Sequence, residues 1–301
     1  MTYPRESTRV TFPGGATEGT STVLQVVELP DGTGIITAET PFHPVDHTWP
    51  DQPADIGTAT VAGRALTIRD CVTGAQEIGS HELLIGSDIT TRRGNDHWHW
   101  YVVHVTDTPY VDCVALAGAE ATLQVDAGRR ARLSASHTAC HLIAFALNEA
   151  LSDRWRKVPS VDSLDHPNFD AIAITSSLIG TDASTDTYRL GKSLRKKGFT
   201  IAATDDVPSL ADALPDLADS ITSRLNHWIV NDAPVRVDTP DSGLTAPREW
   251  VCELPEGTAT VMCGGTHVRR LAELGQVQVS ATVNEEGTEL TIVTTPTATG
   301  T

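Results

Sequence analysis

A chain of 301 residues with 40% apolar side chains is long enough to bury a substantial core, and its length favours two domains over one. The net charge of -17, from 39 acidic against 22 basic residues, excludes an evenly basic nucleic-acid-binding surface. Five scattered cysteines (71, 113, 140, 252 and 263) exclude a secreted disulfide framework and are expected as reduced thiols.

From residue 8 to 125 the chain reads as short β-rich runs broken by Gly, Pro and Asp: "STVLQVVEL", "GIITAET", "GTATVAGRALTIRDCV", "HWHWYVVHV" and "ATLQV". Their lengths and turn signals predict an antiparallel barrel or sandwich, taken as a β-barrel domain over residues 1–125. In "HWHWYVVHV" the period of two puts His97 and His99 on one face with Tyr101, and Trp98 and Trp100 on the other, as in a half-buried strand. The "PFHPVDH" segment offers His43, Asp46 and His47 as a second metal site, but its two prolines favour a turn.

The pattern changes after "DAGRRAR". In "LSASHTACHLIAFALNEALSDRW", Leu133, Leu142, Phe145, Ala146 and Ala150 recur at helical spacing, with Ser134 or Ser136 as the expected cap. A second helix is expected over "SLADALPDLADSITSRLNHWIVND", disturbed early by Pro215. Strands are expected at "FDAIAITSSLI", "APVRVDTP", "EWVCELP", "TATVMC" and "GQVQVSATV", and the tail "TTPTATGT" is expected to fray. Strands and helices without strict alternation indicate an α+β domain over residues 126–301. No run of 18 apolar residues could span a bilayer, and the polar start "MTYPRESTRV" has no secretion-signal core, so a cytoplasmic location without a membrane partner is expected.

Charge is unevenly distributed. Eleven of the 22 Lys and Arg residues lie between Arg129 and Lys197, namely Arg129, Arg130, Arg132, Arg154, Arg156, Lys157, Arg189, Lys192, Arg195, Lys196 and Lys197. Such a run is usually a solvated face, yet it also leaves room for a local basic surface on an acidic protein.

His137 and His141 stand four apart in "SHTACH", so on a helix their rings share one face and can aim at one point. Alone, the pair is equally a set of hydrogen-bonded polar residues at a core rim, and Thr138 in place of Glu disfavours an HExxH metalloprotease. Near the C-terminus, "VMCGGTHV" places Cys263 and His267 around Gly264 and Gly265, which free the backbone to turn tightly. One thiolate and three imidazoles form a donor set for Zn²⁺. Cys140, between the paired histidines, is read as a small apolar residue facing away.

HTACH followed some 120 residues later by CGGTH, in an α+β domain behind a β-rich one, resembles the AlaX-type alanyl-tRNA editing proteins and the editing domains of alanyl- and, more distantly, threonyl-tRNA synthetases. "ETPFHP...DQPADIGTATVAG" looks like the barrel of the longer AlaX proteins, so the likeness covers most of the chain. The resemblance implies zinc ligands His137, His141, Cys263 and His267, and a trans-acting, zinc-dependent hydrolase of the ester joining a wrong amino acid to tRNA. It also implies substrate contacts from Gly264, Gly265 and Thr266, and turns Lys192, Arg195 and Lys196 into candidate tRNA contacts. The spacing supplies only the metal; the reaction comes from the likeness.

Four protein ligands would fill a tetrahedral zinc, whereas a hydrolytic zinc keeps a position for water. One ligand loosens, the metal becomes five-coordinate, or it positions the aminoacyl group while another element activates water; no catalytic acid or base is assigned. The glycine-rich GGQ-type segment of the longer relatives is replaced by "VDHTWPDQPAD", which retains only Gln52-Pro53, and "RRLAELG" replaces an NTGEIG-like continuation. The expected substrate is therefore open between serine or glycine on tRNA(Ala) and a threonine-like analogue, such as fluorothreonine, on tRNA(Thr). A non-catalytic zinc-stabilised tRNA-binding protein and a small-molecule metallohydrolase are the alternatives. Oligomeric state is not encoded in any of these motifs.

Overall fold

A computed structural model describes residues 6–297, so the first half of the polar N-terminal decapeptide and the last four residues of the expected frayed tail lie outside the described residues. The chain divides into two units: residues 1–130 with 237–248 and 263–266, and residues 131–236 with 249–262 and 267–301. The fold is α+β with mostly antiparallel sheets. No described helix is long and apolar enough to cross a membrane.

In the first unit, β1 (Glu18–Leu29), β2 (Gly32–Thr37), β3 (Gly57–Val61), β4 (Arg64–Ile68), β5 (Asp70–Glu77), β6 (Leu84–Ile85), β7 (Trp98–Thr106) and β8 (Glu120–Val125) form one antiparallel sheet. Its order is β4-β3-β8-β1-β2-β7-β5-β6, with β4 and β6 at the ends. The expected antiparallel sheet is found; its closure into a barrel is not.

The strand expected to be half buried, β7, lies between β2 and β5 and is buried on both faces because each face packs into an apolar cluster. Trp100 and Val102 enter the larger core with Val23, Ile35, Phe42 and Leu123, while Tyr101 and Val103 enter a second cluster with Val27 and Ile36. Alternation thus serves two apolar layers rather than one layer and solvent. Gly34 permits this packing, since a Cβ there would lie 2.6 Å from the methyls of Val103 and Val27.

In the second unit, the part of α1 (Ala127–Ala150) that follows Arg130 supplies the buried side chains Leu133, Ala139, Leu142, Ile143, Phe145 and Leu147. It begins six residues before the expected start, because Asp126 rather than Ser134 or Ser136 accepts the hydrogen bond from Arg129 N, at 2.9 Å. Strands β9 (Ile174–Ile179) and β10 (Ser184–Arg189) join β14 (Val277–Val283) and β15 (Glu289–Pro296) in the order β9-β10-β15-β14. A second sheet contains β11 (Val235–Asp238), β12 (Glu249–Leu254) and β13 (Gly257–Met262) in sequence order.

Two short helices interrupt this pattern: Phe169–Ala173, and α2 (Lys192–Lys196). The first replaces the start of an expected strand, because the Asn168 side chain caps it by accepting from Ala171 N. The longer α3 (Leu210–Val230) is capped by Ser209 and runs continuously through Pro215. The expected fraying fails at Thr294–Pro296, which belong to β15 and pair with β10 and β14.

Candidate metal centre

Helix α1 places His137 and His141 one turn apart, with ring centroids separated by 4.9 Å. His267, which follows the second sheet in the chain, brings its ring to 4.4 Å from His137 and 4.9 Å from His141. Only three residues separate His267 from Cys263, and one candidate ligand atom from each of His137, His141, Cys263 and His267 lies within 4.8 Å of the others. The two motifs therefore converge.

The surroundings suit a cation ligand set. Burial lowers the His141 pKa to about 4, so the ring is neutral and keeps the lone pair a metal needs. His141 Nε2 is buried without a hydrogen-bond partner, which is costly unless something else occupies its lone pair. Trp250 packs 5.2 Å from the His141 ring, and Phe145 packs on Trp250, so the imidazole is braced by aromatic surface. Burial likewise pushes the Cys263 thiol up to about 12; a bound divalent cation would displace that proton.

Thr138, dismissed in the sequence only for not being Glu, has a positive role. Its Oγ lies 3.2 Å from His267 Nδ1 and accepts from Val268 N at 3.2 Å. With Nδ1–H donating to Thr138, His267 is held in the tautomer whose Nε2 carries the lone pair a metal would take. A hydroxyl immediately after the first histidine was the available sequence signal.

The CGGT segment is fixed within the first unit. Cys263 N donates to Arg248 O at 3.0 Å, and Gly265 N points to Cys263 Sγ at 3.4 Å. Buried Thr266 is held at both ends by Gln52: its N donates to Oε1 at 3.1 Å, and its Oγ1 accepts from Nε2 at 2.9 Å. Gln52, the remnant of the glycine-rich motif, thus anchors the metal loop. Arg93 stands over Gly264, where a Cβ would come within 3.7 Å of its guanidinium. Burial lowers the Arg248 pKa to about 10, and its guanidinium donates to the carbonyls of Gly243 and Leu244.

Other predicted residues fall elsewhere. Lys192, Arg195 and Lys196 are exposed on α2 and are not part of the ligand cluster. His43, Asp46 and His47 form no metal-binding group among the described residues. Cys140 is not an isolated apolar residue: its thiol donates to Asp186 Oδ1 at 3.4 Å and lies 3.3 Å from Ser177 Oγ. The short carboxylate pulls the thiol into a polar group inside the fold, which spacing along α1 alone does not reveal.

Over 283 residues the chain is 28% identical to an alanine–tRNA ligase of Halorubrum lacusprofundi, a match covering 89% of this chain and 23% of the ligase. An alanine–tRNA ligase of Haloquadratum walsbyi is 23% identical over 266 residues, covering 88% of this chain and 23% of the ligase. One from Mesorhizobium japonicum is 29% identical over 162 residues, or 54% of this chain and 17% of the ligase. The chain thus spans less than a quarter of the length of these curated relatives. No protein-family model matches it. The likeness agrees with the resemblance carried by HTACH and CGGTH, and is consistent with an AlaX-like editing domain of the alanyl-tRNA synthetase superfamily.

Proposed function

We propose that this chain is a zinc-dependent aminoacyl-tRNA deacylase, which hydrolyses the ester between a wrongly attached amino acid and the 3′ end of a tRNA. The observation that carries the proposal is the convergence of His137, His141, Cys263 and His267 in a chain that resembles alanine–tRNA ligases along 89% of its length. Its place of action is the cytoplasm, where its substrate is an aminoacylated tRNA.

In this reading His137, His141, Cys263 and His267 hold the zinc, which supplies Lewis-acid polarisation to the ester or to water. Thr138 keeps His267 in the tautomer and orientation that ligation needs. Gln52 holds Thr266, and through it the glycine turn, so that Gly264 and Gly265 present a backbone free of side chains to the aminoacyl group. Exposed Lys192, Arg195 and Lys196 contact tRNA phosphates. The substrate is serine or glycine on tRNA(Ala), or a threonine-like amino acid on tRNA(Thr), since the GGQ-type discriminating segment is absent.

A panel of misacylated tRNAs tests this. The protein should release the amino acid from at least one member, and His141→Ala and Cys263→Ala should each reduce that rate by 100-fold or more. Unchanged hydrolysis in both variants, or no hydrolysis of any ester, refutes it. Tight tRNA binding with no turnover, together with unfolding on metal removal, would instead support a structural zinc in an RNA-binding protein.

A further inference from the structure

Two basic segments, 35 residues apart in sequence, are joined in the second unit. After α1 the chain runs through Arg154, Trp155, Arg156 and Lys157, and this stretch lies antiparallel to the one that follows α2. Trp155 bridges Phe199, Arg156 N donates to Gly198 O at 3.0 Å, and Thr200 N donates to Arg154 O at 2.8 Å. The Trp155 and Phe199 rings meet edge to face at 5.0 Å. Gly198 makes the approach possible: its φ is +105°, and a Cβ there would lie 3.2 Å from Lys157 N. Carried one step further, the register sets Lys157 across from Lys197.

Arg156, Lys157, Lys192, Arg195, Lys196 and Lys197 are all exposed, and none forms an ion pair among the described residues. Elsewhere exposed Arg92, Arg132 and Arg189 also stand without an ion pair among the described residues, but singly along the chain rather than gathered on two adjoining segments. Eight other arginines, Arg9, Arg64, Arg69, Arg93, Arg130, Arg224, Arg236 and Arg270, are each paired with a carboxylate. With 39 acidic residues against 22 basic ones, carboxylates are in surplus, yet among the described residues none is ion-paired with any of these six neighbouring cations. Like charges facing each other across a strand pair also cost stability. Their assembly places a local positive charge on a protein whose net charge of -17 otherwise repels polyanions.

We propose that segments 154–157 and 192–198 form one RNA-backbone site, in which Arg156 and Lys157 are contacts of the same kind as Lys192, Arg195, Lys196 and Lys197. Its ligand is the phosphodiester backbone of a tRNA, bound through charge without reading bases. The identity of the RNA rests on the deacylase reading; the existence of an anion-binding surface does not. Arg154 is excluded from contact, since it is buried and its guanidinium donates to Pro208 O at 3.1 Å.

The test measures the affinity of the full chain for an uncharged tRNA across a series of salt concentrations, comparing the wild type with an Arg156→Gln/Lys157→Gln double variant. Both substituted side chains are exposed, and an unchanged melting temperature confirms that the variant is folded. The double variant should bind several-fold more weakly to every tRNA tried, and the slope of log affinity against log salt should become shallower by about 1 to 2. Equal affinity and equal slope in the two proteins overturn the site, even if misacylated tRNA is hydrolysed. Stronger binding to anionic phospholipid vesicles than to tRNA, lost in the double variant, also overturns it in favour of a membrane surface. A patch-dependent tRNA affinity with no hydrolysis of any ester upholds the site while defeating the deacylase reading.

Discussion

The chain carries the same spacing twice, HPVDH at residues 43–47 and HTACH at residues 137–141, with opposite results. In HTACH the helix puts both rings on one face, and His267 completes a cluster with centroids 4.4 to 4.9 Å apart. In HPVDH, Pro44 has no N–H to give a helix, and Val45 instead bridges Val72 and donates to Cys71 O at 2.9 Å. The two rings part: His43 meets Phe12 edge-on at 5.0 Å, and His47 lies 5.5 Å from Trp100. Asp46, between them, is ion-paired with Arg93.

Both segments contain buried ring nitrogens without a hydrogen-bond partner: Nε2 of His141, Nδ1 of His43, and both nitrogens of His47. An orphaned nitrogen is therefore not enough to mark a ligand. What separates the segments is convergence with donors from a distant part of the chain, and that is a property of backbone conformation rather than spacing.

The largest expected effect that could break this comparison comes from removing a ligand. His141→Ala or Cys263→Ala should reduce bound zinc from about one per chain to near zero, whereas His43→Ala and His47→Ala should leave it unchanged; metal analysis of the purified proteins decides. Next, Thr138→Val should weaken zinc binding about 10- to 100-fold, as measured by chelator competition, because it removes the partner that orients His267.

Acid should act on the first unit through His43 and His104. Burial lowers their pKa values to about 3 and about 4, below the ordinary 6.5. Between those values and 6.5 the unfolded chain binds more protons than the folded one, so stability should fall as pH drops through this window. Thermal melts of the chain from pH 7 to pH 4 should show a declining midpoint, and a flat profile would contradict the burial of these rings. The smallest effect is expected from Asp46→Asn. It breaks a partly exposed pair with Arg93, and should cost no more than about 1 kcal/mol in denaturant unfolding while leaving zinc content intact.

Much of the candidate site was legible because its parts are local. HTACH needs only a helix, and CGGTH only a tight turn, so each declares its geometry within a few residues. The long helices and most strands were readable for the same reason. What escaped depended on partners far away in sequence. The two-sided burial of β7 follows from the apolar clusters packed on its two faces, and the ordering of Thr294–Pro296 follows from pairing with β10 and β14. The role of Gln52 requires Thr266, 214 positions later, and the joining of the two basic segments requires the positive φ of Gly198. Closure of the first sheet was inferred from strand length and turn frequency, which dictate antiparallel pairing but not whether the two end strands meet.

Zinc K-edge absorption spectroscopy of the metal-loaded chain tests the central claim most directly. The account predicts a spectrum fitted by one sulfur at about 2.3 Å and three imidazole nitrogens at about 2.0 to 2.1 Å, with the sulfur signal lost in Cys263→Ala. A shell of oxygen ligands without sulfur, or a spectrum unchanged by Cys263→Ala, would contradict it.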